Sequence, residues 1–246
     1  MAVKNVVILL VIVAILGGAW WLTTQYSTPV STLVPQGDRH FTEATDLYSI
    51  DITYPAAPSA AIEARVEDIV SEEITRFKSE SVGIIDDQEA ARIRATGRPY
   101  ELIIEYKPYA YRSFVSYEFD IYLDTGGAHP NSFFRTATFD AGGQELLLED
   151  LFVEGAPYLN RLSEEAYAGV TAELASRTGG EVTPDMADTV RLGTTPSPEA
   201  LQFFYLDDGA LHLLFPPYQV AAYAAGSFDI AIPLSELQDI LRPEIR

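Results

Sequence analysis

Residues 6–22 read VVILLVIVAILGGAWWL, without one charged or strongly polar side chain. Such a run has no polar face to offer water, so it is not a surface element of a globular domain. As a helix rising 1.5 Å per residue it lies at the short end of the length that crosses a bilayer core. Lys4 and the amino terminus precede it, and no Lys or Arg follows until Arg39. The positive-inside rule then makes residues 1–5 a cytoplasmic stub and 6–24 a single-pass transmembrane anchor, with the rest of the chain outside the cytoplasm. Trp20, Trp21 and Tyr26 stand where an interfacial aromatic belt belongs. Gly17, Gly18 and Ala19 also suit a cleaved signal peptide, but the bulky Trp pair and the length of the run favour an anchor in the cell membrane.

Beyond the apolar run lies a foldable domain. The chain has 246 residues, 48% of them hydrophobic, which is ample for a real core. Sixteen Lys and Arg against 36 Asp and Glu give a formal charge of -20. That field repels nucleic acid and attracts basic partners. There is no cysteine, which excludes disulfides, thiolate zinc sites and a Cys nucleophile. No G-x-S-x-G elbow, P-loop or H-E-x-x-H occurs, and nothing in the sequence implies a cofactor.

Residues 25–45 are rich in Ser, Thr, Pro and Gly and read as an extended linker. DLYSIDITYP (46–55) alternates and stops at proline, as a strand does. Beyond Ser59, the residues Ile62, Val66, Ile69, Val70, Ile74 and Phe77 recur at spacings of three and four, which predicts an amphipathic helix. Residues 100–123 hold two strands rich in Tyr, Phe and Ile. In the second, Val115, Tyr117, Phe119, Ile121 and Leu123 form the core face, and the alternate residues are expected to be partly exposed. A strand over 132–140, a second amphipathic helix over 156–178 stopped by Gly179-Gly180, a hairpin turning at Asp208-Gly209 and a last strand from Phe228 complete the chain. Asp86-Asp87 reads as a solvated loop pair. The expected class is α+β, with mostly antiparallel sheets packed by two amphipathic helices and one N-terminal transmembrane helix before them.

Three segments occur in order: GGAH at 126–129, LEDLF at 148–152 and FPPYQVAAYAAG at 215–226. On these, the exported part resembles the extracytoplasmic region shared by the anti-sigma factor RsiV and the non-catalytic part of the peptidoglycan deacetylase PdaC. The resemblance implies an α+β module, with residues 46–123 as a PdaC-like N-terminal subdomain and 124–240 as an RsiV C-terminal-like one. In RsiV this region senses lysozyme. An RsiV-like protein also needs a cytoplasmic segment for its sigma factor, and PdaC carries a separate catalytic domain. Neither is expected here, which leaves a binding or sensing module without those outputs.

His129 is the residue on which an enzymatic reading would turn, as a general base or metal ligand with Asp120 or Asp124. A metal needs three or four ligands, and the other histidines, His40 and His212, lie far off in sequence. His129 is therefore read as holding a loop whose Gly126 and Gly127 supply positive φ, and neither a metal site nor a catalytic residue is expected. Exposed tyrosines can stack on sugars or anchor protein interfaces. The candidate ligand-binding residues are His129, Asn131, Tyr117, Tyr122, Tyr218 and Tyr223. The expected function is a non-enzymatic extracytoplasmic module whose partner is a cationic protein such as lysozyme, or cell-wall glycan. An envelope polysaccharide hydrolase or deacetylase, or an accessory subunit docking on another membrane protein, are the alternatives.

Overall fold

The computed structural model describes residues 37–246. The expected stub, the anchor at 6–24 and the greater part of the linker lie outside the described residues. Among the described residues no helix is long and apolar enough to cross a membrane. The described residues form one compact unit.

A six-stranded sheet is built in sequence order from β1 (Asp38–Ala44), β2 (Tyr48–Pro55), β3 (Tyr100–Tyr111), β4 (Phe114–Asp124), β5 (Asn131–Phe139) and β6 (Glu145–Leu146). Neighbours run antiparallel except β2 and β3, which are parallel, with Ile50 opposite Leu102 and Ile52 opposite Ile104. A parallel pair needs a long crossover. Here it consists of α1 (Ala60–Glu80) and α2 (Asp87–Thr96). Ser59 caps α1 by accepting from the Ile62 N–H, and Ile62, Val66, Ile69, Val70 and Phe77 are buried against the sheet. The partner face is Ile50, Ile52, Leu102, Ile104 and the odd-numbered residues Val115 to Ile121 of β4. Glu73 is also buried on α1, where Arg76 and Arg135 neutralise it.

The second half of the chain builds α3 (Tyr158–Thr178), α4 (Pro184–Gly193) and a three-stranded antiparallel sheet of β7 (Phe204–Asp207), β8 (Ala210–Phe215) and β9 (Phe228–Pro233). Leu162, Ala166, Val170 and Leu174 of α3 pack on Leu211, Leu213, Phe215, Ile230 and Ile232. Gly179 ends α3 in the left-handed region at φ 81. Asp208 and Gly209 turn the β7–β8 hairpin, both at positive φ.

The α+β class and the mostly antiparallel pairing agree with the sequence reading, and four places differ from it. The linker tail is a strand, because Asp38–Ala44 pairs along the whole of β2. There are two further helices. Asp86 is the N-cap of α2, accepting from the Glu89 N–H, so the Asp86-Asp87 pair begins a helix rather than filling a loop. Thr183 caps α4, with Pro184 in its first turn. The boundary read between 123 and 124 falls inside the first sheet, since β4 and β5 pair from Val115–Phe139 to Leu123–Asn131. Finally, the second face of β4 is covered. Phe114, Ser116 and Glu118 are buried because β7 lies over β3, β4 and β5.

Gly169 marks the tightest approach of α3 to the small sheet. A Cβ there would lie 2.5 Å from Ile230 Cγ2. Replacing it by alanine forces apart two packed elements, and Gly169→Ala is expected to lower folding stability by about 1–3 kcal/mol, read from urea unfolding.

Candidate functional site

Two loops that are far apart in sequence meet beside the sheets. One joins β4 to β5 and carries His129. The other joins β8 to β9 and carries Tyr218 and Tyr223. The His129 and Tyr223 rings stack with centroids 4.1 Å apart and planes 19° from parallel, and the Tyr218 ring lies 5.4 Å from that of Tyr223. His129 Nδ1 is 2.9 Å from the Pro130 carbonyl oxygen, and Nε2 is 3.0 Å from the Tyr218 hydroxyl. A carbonyl only accepts, so Nδ1 carries a proton, and in the neutral ring Nε2 accepts from the Tyr218 O–H. The Tyr223 hydroxyl donates to the same Pro130 oxygen at 3.1 Å.

Both loops are held from behind. Gln219 Nε2 donates to Gly193 O at 2.9 Å and to Ala200 O at 2.7 Å, and Arg177 donates to Ala225 O. Gly193 is required at the end of α4, because a Cβ there would come 2.1 Å from Gln219 O. In the other loop Gly126 stands at φ 73, with its N–H on Asp124 Oδ1 at 2.8 Å. Gly127 is not in the positive-φ region, so the turn depends on one glycine rather than on the pair. Tyr218 is the anomaly. It is 59% exposed and sits at φ 73, a conformation that costs a side-chain-bearing residue about 1–2 kcal/mol.

Of the six residues read from sequence, His129, Tyr218 and Tyr223 come together. Asn131 is exposed two residues beyond His129, at the start of β5. Tyr122 is half-buried in an adjoining cleft of about 200 Å³, with Asp120, Ser132, Phe134 and Pro217. Tyr117 does not belong to this surface. It is fully buried on the core face of β4, between Phe119 and Phe139, and burial pushes its hydroxyl up to about 12. The strand's alternation, which sets Tyr122 on the opposite face, explains the difference.

The pairing of His129 with a nearby carboxylate does not form. Asp120 Oδ2 is engaged by Lys107 at 2.8 Å, and Asp124 accepts from the Gly126 backbone. Both ring nitrogens of His129 already have partners. Among the described residues no group of three or more His, Cys, Asp or Glu could hold a metal.

Beside the aromatic cluster, half of the six-stranded sheet turns an uncovered face outward. The register places Asp51, Glu101, Glu105, Asp120 and Asp124 on it; among the described residues Lys107 is the only Lys or Arg that β1–β5 contribute there, and Arg98, just before β3, lies 3.8 Å from Asp124. Where β7 begins to cover this face, there is a polar seam that the sequence reading missed. Tyr109, Tyr205 and His212 stack with successive centroid distances of 3.8 and 4.3 Å. Asp229 accepts from the Tyr205 hydroxyl at 2.6 Å and pairs with His212 Nδ1 at 2.8 Å. Buried Glu118 accepts from the Tyr109 hydroxyl at 2.8 Å and faces Lys107 at 3.1 Å. Desolvation raises the Glu118 carboxyl above its ordinary range, against the bonds from Tyr109 and Lys107. Burial acts in the same sense on Asp229, but the hydrogen bonds from His212 and Tyr205 outweigh it and hold that carboxyl low. The signal that could have found the pair was the shared register of LHLLF and FDIAI, which places His212 and Asp229 on one face.

The chain has relatives among known proteins. Residues 149–235 match a family described as protein of unknown function (DUF3298), and residues 41–132 match a family described as deacetylase PdaC. The chain is 29% identical over 224 residues to the peptidoglycan-N-acetylmuramic acid deacetylase PdaC of Bacillus subtilis, covering 90% of this chain and 43% of that protein. It therefore spans less than half of that relative's length. Two solved structures share the fold. A DUF3298 family member from Bacteroides fragilis superposes with a TM-score of 0.61 at 18% identity, covering 87% of this chain and 97% of that one. A DUF3298 family protein from Pseudomonas aeruginosa gives 0.59 at 18% identity, with coverages of 87% and 98%. The resemblance to PdaC read from the sequence stands in these matches.

The site's geometry leads to two expected outcomes. Tyr218→Gly and Tyr218→Ala both remove the ring, but only glycine relieves the backbone. The Gly variant is expected to be more stable than the Ala variant by about 1 kcal/mol in denaturant unfolding. The depressed Asp229 carboxyl contributes stability above its unfolded pKa and loses it as pH falls. The advantage of the native chain over Asp229→Asn should therefore be full near neutrality and fade below about pH 4, read from thermal midpoints across pH.

Proposed function

We propose that this protein is a non-enzymatic binding module of the cell envelope, tethered to the membrane by residues 6–24, and that its ligand is a basic protein of the lysozyme type. The observation that carries the reading is the juxtaposition of the exposed Tyr218 and the His129–Tyr223 stack with the uncovered acidic face of the sheet. Aromatic side chains with fixed geometry supply contact area at low entropic cost, and Tyr is enriched among the residues that dominate interface energetics. The carboxylates, within a chain of formal charge -20, speed encounter with a basic partner and disfavour an acidic one. A setting in the envelope is supported by the likeness to a protein named for peptidoglycan deacetylation. The positional strain at Tyr218 fits a residue kept for recognition rather than for stability.

A second reading has its own support. The near-parallel stack of His129 on Tyr223 leaves a Tyr218 ring beside it to pack on a sugar face, which suits cell-wall glycan. Ionic strength separates the two, because exposed charges act over only a few Å at about 0.5 M salt.

The deciding measurement is calorimetric titration of c-type lysozyme into the chain, at low salt and at about 0.5 M salt, with soluble peptidoglycan fragments in parallel. Saturable lysozyme binding that persists at high salt, and that weakens at least about tenfold in Tyr218→Ala and Tyr223→Ala, is the expected result. Binding that disappears with salt and ignores both variants is charge adhesion, and it removes the reading. Fragment binding lost in the same variants transfers the site to glycan.

A further inference from the structure

A second cavity lies on the other side of the Tyr223 loop, away from the sheet face. It is a groove of about 540 Å³ between the last turn of α3, the first turns of α4 and the segment from Val220 to Ala225. That volume is in the range of small-molecule sites. Leu174, Met186 and Val220 line it with hydrocarbon, and the alanines of the loop leave it open by their small size. Its polar groups are mostly spent. Thr178 Oγ1 bonds Leu174 O and Glu181 O, and Thr189 Oγ1 donates to Asp185 O. Arg177 is held by Glu173 and Ala225 O, with its guanidinium 4.0 Å from the centre of the Phe228 ring. With Glu173 neutralising Arg177, the charge left at the groove is Asp185 in the first turn of α4, whose carboxylate has no ion pair among the described residues.

We infer that this groove is a ligand site, separate from the aromatic surface, for a small amphipathic cation: an alkyl chain in the apolar floor with an ammonium head beside Asp185. An anion meets Asp185 and finds Arg177 already occupied. A neutral alkyl chain gains the floor but not the charge. The site has a structural link to the first one. Ala222, Ala224 and Ala225 line the groove, while Tyr223, in the same short turn, stacks on His129. An occupant therefore buttresses the turn that presents Tyr223.

The test uses hexyltrimethylammonium, hexanol and hexanoate, titrated calorimetrically into the 246-residue chain and into two variants. Thr189→Trp, at an exposed position on the groove wall, fills the space, and Asp185→Asn removes the charge. The expected result is saturable one-to-one binding of the cation, about fivefold tighter than hexanol, with hexanoate weakest. Asp185→Asn should reduce the cation to the level of hexanol, and Thr189→Trp should abolish binding of both. The inference is overturned if no probe saturates, if hexanoate binds as well as the cation, or if the cation binds Thr189→Trp unchanged. Since neither variant touches His129, Tyr218 or Tyr223, failure here leaves the lysozyme reading as it was.

Discussion

The structure depends on how one sheet edge is satisfied. β7 is an edge strand of the small sheet, and its Phe204 and Leu206 N–H groups point away from β8 into the protein interior. Unpaired N–H groups buried in this way are costly. The first sheet answers with side chains: Thr136 Oγ1 accepts from Phe204 N at 3.1 Å and Ser116 Oγ from Leu206 N at 3.2 Å, while Ser116 and Thr138 bond each other at 2.9 Å. Hydroxyls on the face of one sheet thus substitute for the missing strand of the other. This contact fixes where β7 crosses β3–β5, and with it the position of α3, α4 and both loops of the site.

That contact also explains what could and could not be read from the residues. The face of α1 was legible, since Ile62, Val66, Ile69, Val70 and Phe77 are buried as their spacing required and Ile74 is partly so. So were the turn at Asp208-Gly209 and the stop at Gly179, where local backbone chemistry decides the outcome. Ser116 and Glu118 were read as partly exposed because alternation shows which residues share a face, not whether something later in the chain will cover it. The short α2 and α4 carried clear signals only at their caps, Asp86 and Thr183, and a cap without a long apolar stripe is weak grounds for a helix. Within the site, His129, Tyr218 and Tyr223 were picked out for their residue types. Their meeting was not legible, because 89 residues separate His129 from its Tyr218 partner.

The loop that carries Tyr218 and Tyr223 is held by groups that lie outside it. Gln219 reaches two carbonyls beyond the strands, Arg177 holds a third, and Gly193 makes room for the backbone. A left-handed tyrosine persists only where its surroundings over-determine it. Here the determinants are on α3, on α4 and in the chain after α4, so the second half of the molecule fixes a geometry that is completed by His129 from the first. Neither half presents the aromatic cluster alone, although different families match the two halves.

The proposed binding surface is what the small sheet leaves uncovered. Three strands cross a sheet of six, so only the end of β4 near Ser116 and Glu118 is closed over, and the end near Asp120, Tyr122 and Asp124 stays open. The chemistry changes at that limit. Under β7 the polar groups are paired: Glu118 with Tyr109 and Lys107, Asp229 with Tyr205 and His212. Beyond it Glu105 and Asp51 face water, and two pairs of carboxylates lie opposite one another in the register, Glu101 with Asp124 and Glu105 with Asp120. Like charges so arranged weaken a sheet, and α1 on the reverse face offsets the loss by burying an apolar stripe. Lys107 pairs with Asp120 and Arg98 lies 3.8 Å from Asp124, which leaves Glu105 and Asp51 without an ion pair among the described residues. The basic ligand proposed above would supply the positive charge that these two carboxylates do not find within the fold.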